Sequence, residues 1–357
     1  MDERRSCVLR AVVESFIDDA QPVGSQSALE SSGLDVSAAT VRNELAALES
    51  DGYLTQPHTS AGRIPTEAGY RHFVDQLGPG HVDAVQARQV KAFFGHAQGQ
   101  IEERLTDTTR LLSQLTACAA LVVSPSHDRE TVRSAQLVDL GGRRLMFVMV
   151  TSSGAVERHP IDTDDGSAAG SGAGPRAPLP TDGPVVDEAS RRLAAAVVGT
   201  ACGDVPVVEP SGIVAVDALV AATVDAVRLR DASCRDLYVG GTADLTGQFD
   251  ALSTVKSVLE VLEEQLLVVS LLRDLVERGL DVAIGSETGV VPLSECAVVV
   301  SPYVVDGEPV GNIGLVGPTR MDYPRAIAAV RLVSDRLGDS LAEAGLPSPA
   351  LAAAGAG

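Results

Sequence analysis

The apolar positions that precede Gly52 have the spacing of one helix face. Val41, Leu45 and Leu48 recur at intervals of four and three residues, and the positions between them are mostly small or polar. Ser37 can accept a hydrogen bond from a free backbone N–H of a first helical turn. Gly52 tolerates the positive φ at which many helices end. The pattern predicts a helix that begins at Ser37 and ends before Gly52.

A strand-like pattern follows this helix. Residues 53–55 favour a strand, Pro57 and Gly62 frame a turn, and Arg63 begins a second strand. Two amphipathic helices are predicted before it, over 3–18 and 25–32. Three helices followed by a strand, a turn and a strand are the order of a winged helix-turn-helix, which binds DNA with its third helix.

The placement of charge agrees with DNA binding. Arg42 is the only charged side chain between residues 36 and 43, and Arg63 is the only one between residues 52 and 66. A helix that enters the major groove keeps carboxylates away from the phosphates and presents donors to base edges. The candidate DNA contacts are Gln26, Ser37, Ala38, Thr40, Arg42, Asn43, His58, Thr59, Ser60 and Arg63.

Each candidate has an alternative role. The predicted helix is equally compatible with packing inside a protein–protein module, and Gln26 with a solvated surface position. Arg42 can form an ion pair with Glu49 or Asp51, and Arg63 can anchor the turn.

The rest of the chain predicts an α+β multidomain protein. Strand patterns begin at residue 119, return at 236 and continue to about 318, with turn signals at Gly141-Gly142 and Asp306-Gly307. Helical patterns cover 185–199 and 213–230. The predicted domains are 1–78, 79–155 with a connecting helix, an inserted helical domain over 156–235 with a flexible loop at 164–181, 236–345, and a disordered tail at 346–357.

Composition narrows the functional class. The net charge is −20, and residues 1–75 carry six Arg against twelve Asp or Glu, so DNA binding must depend on local placement of charge. Five cysteines without a C-x-x-C pair indicate free thiols and a cytoplasmic protein. The six histidines show no ligand spacing, and no nucleophile, phosphate-loop or metal motif is present. The sequence therefore predicts no enzyme, no cofactor and no metal, and no apolar run of membrane-spanning length.

Five motifs carry a resemblance to a known family. PVGSQSAL at 22–29, VSAATVRNELAALE at 36–49, QPHTSAGRIPTEAGYRHFVD at 56–75, YVGGT at 238–242 and PVGNIGLVGPTRMDYPR at 309–325 resemble the HrcA repressors of bacterial chaperone genes. One departure is Ala38, where the family usually has proline; proline is favoured at a first helical position but not required.

The resemblance implies a GAF-like domain after the winged helix and an inserted domain that forms a homodimer. It also implies repression through an inverted-repeat DNA operator, relieved by heat when unfolded protein occupies the chaperonin that keeps the repressor competent. The alternative is a regulator whose GAF-like domain binds a small effector, with the glycines of GGTADLTG and PVGNIGLVG lining a pocket. Those glycines are also compatible with tight turns between strands.

Overall fold

A computed structural model of the chain divides it into two compact units. The first comprises Met1–Ser124 and Asp236–Leu341, and the second consists chiefly of Pro125–Arg235. The structure describes residues 1–59, 61–78, 83–96, 101–125, 130–141, 144–152, 154–162, 179, 181–203, 208–231, 236–249 and 251–343. Most of the predicted loop at 164–181 and all of the predicted tail at 346–357 lie outside these ranges, as do residues 79–82 at the boundary between the first two predicted domains.

The chain alternates helical and strand segments, which confirms the predicted α+β class. The helices are α1 (Glu3–Asp19), α2 (Ser25–Ser32), α3 (Ala38–Ser50), α4 (Glu67–Asp75), α5 (Ala84–His96), α6 (Ile101–Thr116), α7 (Gly183–Val197), α8 (Val214–Asp231), α9 (Leu252–Glu263), α10 (Gln265–Glu277) and α11 (Tyr323–Glu343). The strands are β1 (Leu54–Thr55), β2 (Ile64–Pro65), β3 (Ala119–Val123), β4 (Val132–Asp139), β5 (Arg144–Thr151), β6 (Val156–Asp162), β7 (Leu237–Gly240), β8 (Val282–Ile284), β9 (Cys296–Val305) and β10 (Glu308–Pro318). Among the described residues, none of the helices combines the length and the apolar character needed to cross a membrane.

Residues 1–78, here called the head, contain α1 to α4 and the short antiparallel pair of β1 and β2. In the pair, Leu54 lies opposite Pro65 and Thr55 lies opposite Ile64. Helices α1, α2 and α3 pack against one another around buried apolar side chains that include Val12, Val41 and Leu48. The apolar spacing that predicted α3 is therefore the spacing of the side chains that α3 buries in the head.

The remainder of the first unit, here called the core, is built on a five-stranded antiparallel sheet in the order β7-β3-β10-β9-β8. Leu121 and Val298 belong to the apolar cluster that α9 and α10 form with one face of this sheet. Helix α6 packs against β3 and β7. The predicted hairpin turn between β9 and β10 is present, with φ of 51° at Asp306 and 88° at Gly307.

The second unit, here called the insert, contains a separate three-stranded antiparallel sheet in the order β4-β5-β6. Helices α7 and α8 pack on it through a cluster that includes Phe147, Met149, Leu193 and Leu219.

This arrangement corrects the predicted domain boundaries. The insert begins at residue 125 rather than 156, and it is a mixed rather than a helical module. The reason is that β5 pairs with β4 on one side and with β6 on the other, and none of these three strands pairs with β3. The core is interrupted between adjacent strands: the N–H of Ser124 donates to the carbonyl of Asp236 at 2.8 Å, and the N–H of Asp236 donates to Ser124 Oγ at 2.9 Å.

Candidate nucleic-acid interface

Helix α3 begins as its sequence predicts. The hydroxyl of Ser37 accepts from the backbone N–H of Thr40 at 3.1 Å, and the two hydroxyl oxygens are 2.9 Å apart. This bond satisfies one of the free donors of the first turn. The cap therefore fixes where α3 starts and brings the Ser37 and Thr40 side chains together at its N-terminal end.

One face of α3 is open to solvent and carries little negative charge. Arg42 and Asn43 are exposed on it, together with the small residues Ala39 and Ala46, and the side chain of Ala38 is half-buried. Among the residues that the structure describes, Arg42 has no ion-pair partner, so the alternative pairing with Glu49 or Asp51 is not seen. An exposed cation with a neighbouring amide is a suitable donor set for phosphates and base edges.

The acidic residues of α3 and its C-cap are neutralised by arginines. Glu44 is buried and accepts from Arg4 Nε at 2.8 Å and Arg5 Nε at 3.0 Å. The hydrogen bond to Glu44 raises the pKa of Arg5. Asp51 accepts from Arg5 at 3.4 Å. These ion pairs explain how a head of net negative charge presents a helix face without free carboxylates.

Arg63 lies at the base of the β1–β2 loop and turns back toward α3. Its guanidinium pairs with Glu49 at 2.8 Å, and only 20% of its side chain is exposed. Its backbone exchanges two hydrogen bonds of 2.9 Å with Val23, in the turn before α2. This geometry is that of the turn-anchoring alternative.

The loop itself is held by a side chain that the sequence analysis did not single out. Gln56 Nε2 donates to the carbonyls of Thr59 at 3.1 Å and Ala61 at 2.9 Å. His58 and Thr59 are exposed at the loop tip, and the candidate Ser60 lies outside the described residues.

Gln26 is exposed on the first turn of α2, where its amide donates to Glu30 at 2.9 Å. The contacts missed by sequence reasoning are those of Val23, Gln56 and Glu44. Each depends on a partner brought close by folding. For Gln56 a local signal was available, since it directly follows the short strand β1 and bonds to residues three and five positions later.

Most of the glycines considered for an effector pocket in the core serve close packing, with Gly247 as the exception. A Cβ placed on Gly241 would lie 1.8 Å from Ser113 Oγ, and one on Gly311 would lie 2.3 Å from the hydroxyl of Tyr303. These positions allow α6 and a tyrosine ring to approach the strands. The packing favours neither the pocket nor the simple tight-turn interpretation.

Comparison with known proteins identifies the family. A model of the HrcA protein C-terminal domain matches residues 102–327. The heat-inducible transcription repressor HrcA of Streptomyces avermitilis is 39% identical over 351 residues, which covers 96% of this chain and 99% of that protein. Its counterpart from Acidothermus cellulolyticus is 39% identical over 357 residues, with the same coverage.

A solved structure described as that of a hypothetical protein at 2.2 Å resolution is 25% identical, with a TM-score of 0.63. The alignment covers 96% of this chain and 99% of that one. The motifs, the two-unit fold and these full-length matches lead to one assignment. The chain belongs to the HrcA family of heat-inducible transcription repressors.

Proposed function

We propose that this repressor binds its operator through the head, which acts as a winged helix-turn-helix with α3 in the major groove. The observation that carries the proposal is the exposed face of α3, where Arg42 and Asn43 stand beside small residues while the carboxylates of Glu44 and Asp51 are paired with arginines. Repulsion from phosphates is thereby reduced at the surface that approaches DNA.

The remaining predicted contacts divide by position. Ser37, Ala38 and Thr40 lie at the N-terminal end of α3, the end from which such helices contact bases. We assign Gln26 on α2 to a phosphate contact. His58 and Thr59 are exposed on the β1–β2 loop, which we take as the wing, and we propose them and Ser60, which lies outside the described residues, as wing contacts. We assign Arg63 the role of holding the wing in place through Glu49.

Arg42→Ala tests this assignment. If Arg42 contacts a base, the variant should lose about 1–3 kcal/mol of operator affinity, roughly 5- to 150-fold, and discriminate less against a mutated half-site. Competition binding against operator and scrambled DNA at two salt concentrations measures both effects. Arg110→Ala, which removes an exposed arginine of the core, is the matched control for charge.

Arg63→Ala separates anchoring from DNA contact. If Arg63 anchors the loop, the variant should have a lower melting temperature than the parent protein. If Arg63 contacts a phosphate, the slope of log affinity against log salt concentration should fall by about one per site. If Arg42→Ala binds like the parent protein in every assay, α3 is not the reading helix and the assignment of the head is wrong.

We further propose that the insert forms a homodimer, which matches two heads to an inverted repeat, and that the core is GAF-like. Support comes from exposed apolar side chains on the insert: Val214 is 84% exposed, and Ile213, Leu140, Val156 and Val198 are each close to half exposed. Exposed apolar side chains that lie next to one another are typical of association surfaces, and Ile213 and Val214 are adjacent at the start of α8. Because Ser124 and Asp236 are hydrogen-bonded neighbours, a short turn can replace 125–235, and light scattering should then show a monomer. A deletion variant that remains a full dimer would contradict the assignment.

We assign the relief of repression by heat to titration of the chaperonin by unfolded protein, as the family resemblance implies. On the same ground we place the operator before chaperone genes. Measuring the active fraction of repressor against temperature, with and without added chaperonin, tests the first point. An active fraction that chaperonin does not change would count against titration.

A further inference from the structure

The last helix of the head is fixed to the core by an ion pair. Arg71 on α4 donates from Nε to Glu287 at 2.9 Å and from Nη2 to the other oxygen of the same carboxylate. Nη2 also donates to the carbonyl of Val282 at 2.8 Å. The planar guanidinium thus meets the core at three acceptors, an arrangement that fixes orientation as well as distance.

A second contact lies one helical turn earlier. Glu67 accepts from the backbone N–H of Ser286 at 3.1 Å and from its hydroxyl at 2.5 Å. Gly285 has φ of 54°, and a Cβ on it would lie 2.1 Å from the Glu67 carboxylate. The core turn at 285–288 is therefore shaped to receive the Glu67 carboxylate, and a side chain at Gly285 would displace that carboxylate from the contact.

The core side of this contact is itself preorganised. Glu287 also accepts from the backbone N–H of Ile284 at 2.9 Å, so its carboxylate is oriented independently of Arg71. Tyr70, buried on the same helix, lies with its ring 5.9 Å from that of Tyr323 on α11. An apolar contact is thus added to the polar ones, and together they form what we call the head–core joint.

The joint is a localised contact. Beside it lies an open cleft of about 370 Å³, lined in part by Arg71, Asp75, Asp281 and Arg331. Arg331 pairs with Asp281 at 2.8 Å within the core and does not reach the head in the described residues. The orientation of α4 is therefore determined by few side chains, chiefly Arg71, Glu67 and Glu287.

We propose that Arg71, Glu67 and Glu287 are positioning residues that set the half-site spacing this repressor accepts. The inference rests on the proposed operator binding by a dimer. If the cores are held as a pair, the joint fixes where each α3 points. Each base pair added between half-sites rotates one of them by roughly 34–36° about the DNA axis. A rigid joint cannot follow that rotation, whereas a loosened joint can.

Binding to a series of operators with spacers altered by −2 to +5 base pairs tests the proposal. The parent protein should lose about tenfold or more in affinity away from its preferred spacing, and Arg71→Ala and Glu287→Gln should reduce that ratio to about twofold. Affinity for a single half-site should stay unchanged, because α3 is untouched. Arg71→Lys, which keeps the charge and one donor, should recover part of the discrimination.

Arg331→Ala is the matched control, since it breaks an arginine–carboxylate pair beside the same cleft without touching the head. Glu67→Gln provides a milder variant if the others melt early. A spacing profile identical to that of the parent, or a loss of half-site affinity as large as the loss on the full operator, would overturn the proposal. A parent protein that prefers no operator would instead refute the proposed function, and this inference with it.

Discussion

Gly62 offers a direct test of how the β1–β2 loop is attached to the rest of the head. A Cβ built on Gly62 would lie 2.5 Å from the backbone carbon and oxygen of Val23 and 2.7 Å from the carbonyl carbon of Pro22. All three are backbone atoms, so rotation of a side chain cannot relieve the contact. Gly62→Ala must therefore separate the loop from the turn before α2.

The size of the effect follows from these distances. Ordinary van der Waals contact begins near 3.4 Å, so the segments must move apart by about 0.9 Å. The two hydrogen bonds between Val23 and Arg63, each 2.9 Å long, would stretch to about 3.8 Å and be lost. Their loss costs about 1–3 kcal/mol. For a unit of this size the melting temperature should fall by about 2–12 °C.

Thermal unfolding followed by circular dichroism, with operator binding measured well below the transition, checks the prediction. Operator affinity should fall as well, because the displaced loop carries the proposed DNA contacts His58 and Thr59. Gly78→Ala is the matched control: it adds the same methyl group to an exposed glycine of the head, where nothing lies within 4 Å. If Gly62→Ala melts within 1 °C of Gly78→Ala, the base of the β1–β2 loop is more plastic than the geometry implies and the reasoning fails.

Three further predictions concern other parts of the first unit. Ser37→Ala removes the cap of α3 and should destabilise the head by about 1 kcal/mol, measured by urea unfolding against Ser37→Asp, which should retain most of the cap. Burial alone would raise the pKa of Glu287, but hydrogen bonds from Arg71 and from a backbone N–H hold it below its ordinary value of 4.5. The stability that the Glu287 carboxylate contributes is therefore present above pH 4.5 and is lost as the pH falls below that value. Glu287→Gln should flatten the dependence of unfolding free energy on pH below pH 4.5. An unchanged slope would exclude the head–core joint as the source of that dependence. Burial raises the pKa of Cys118 to about 11 and that of Cys296 to about 12, so neither thiol should react with iodoacetamide at pH 8 until the protein unfolds, as followed by peptide mass spectrometry.

The head was the part most accessible to sequence reasoning because its signals are local. The spacing of Val41, Leu45 and Leu48 and the cap at Ser37 lie within a few turns of one helix, and each is present in the structure. The exposed face that carries Arg42 follows directly from that periodicity.

The insert boundary was not accessible for the opposite reason. Strands β3, β4 and β5 are similarly rich in Val and Leu, and nothing within each strand tells which sheet it joins. Strand β3 pairs with β7 and β10, which are distant in sequence, whereas β4 and β5 pair with each other and with the neighbouring β6. Likewise, Arg63 has two plausible partners, DNA or a carboxylate, and the nearness of Glu49 arises only when the loop folds back.

The strand order of the core also has a consequence for how the chain reaches its folded state. Leu121, in the second strand of the sheet, pairs with Val239 and Gly314, which lie 118 and 193 positions later in the chain. Sheets assembled from such distant partners close slowly, since chain entropy opposes each pairing until the later segment arrives. Until then β3, which is buried at every position in the finished sheet, remains an unpaired apolar segment. Intermediates of this kind are the species that aggregate or that chaperones bind. The proposed chaperonin dependence then requires no dedicated docking surface on the folded repressor, because the unfinished sheet itself supplies one.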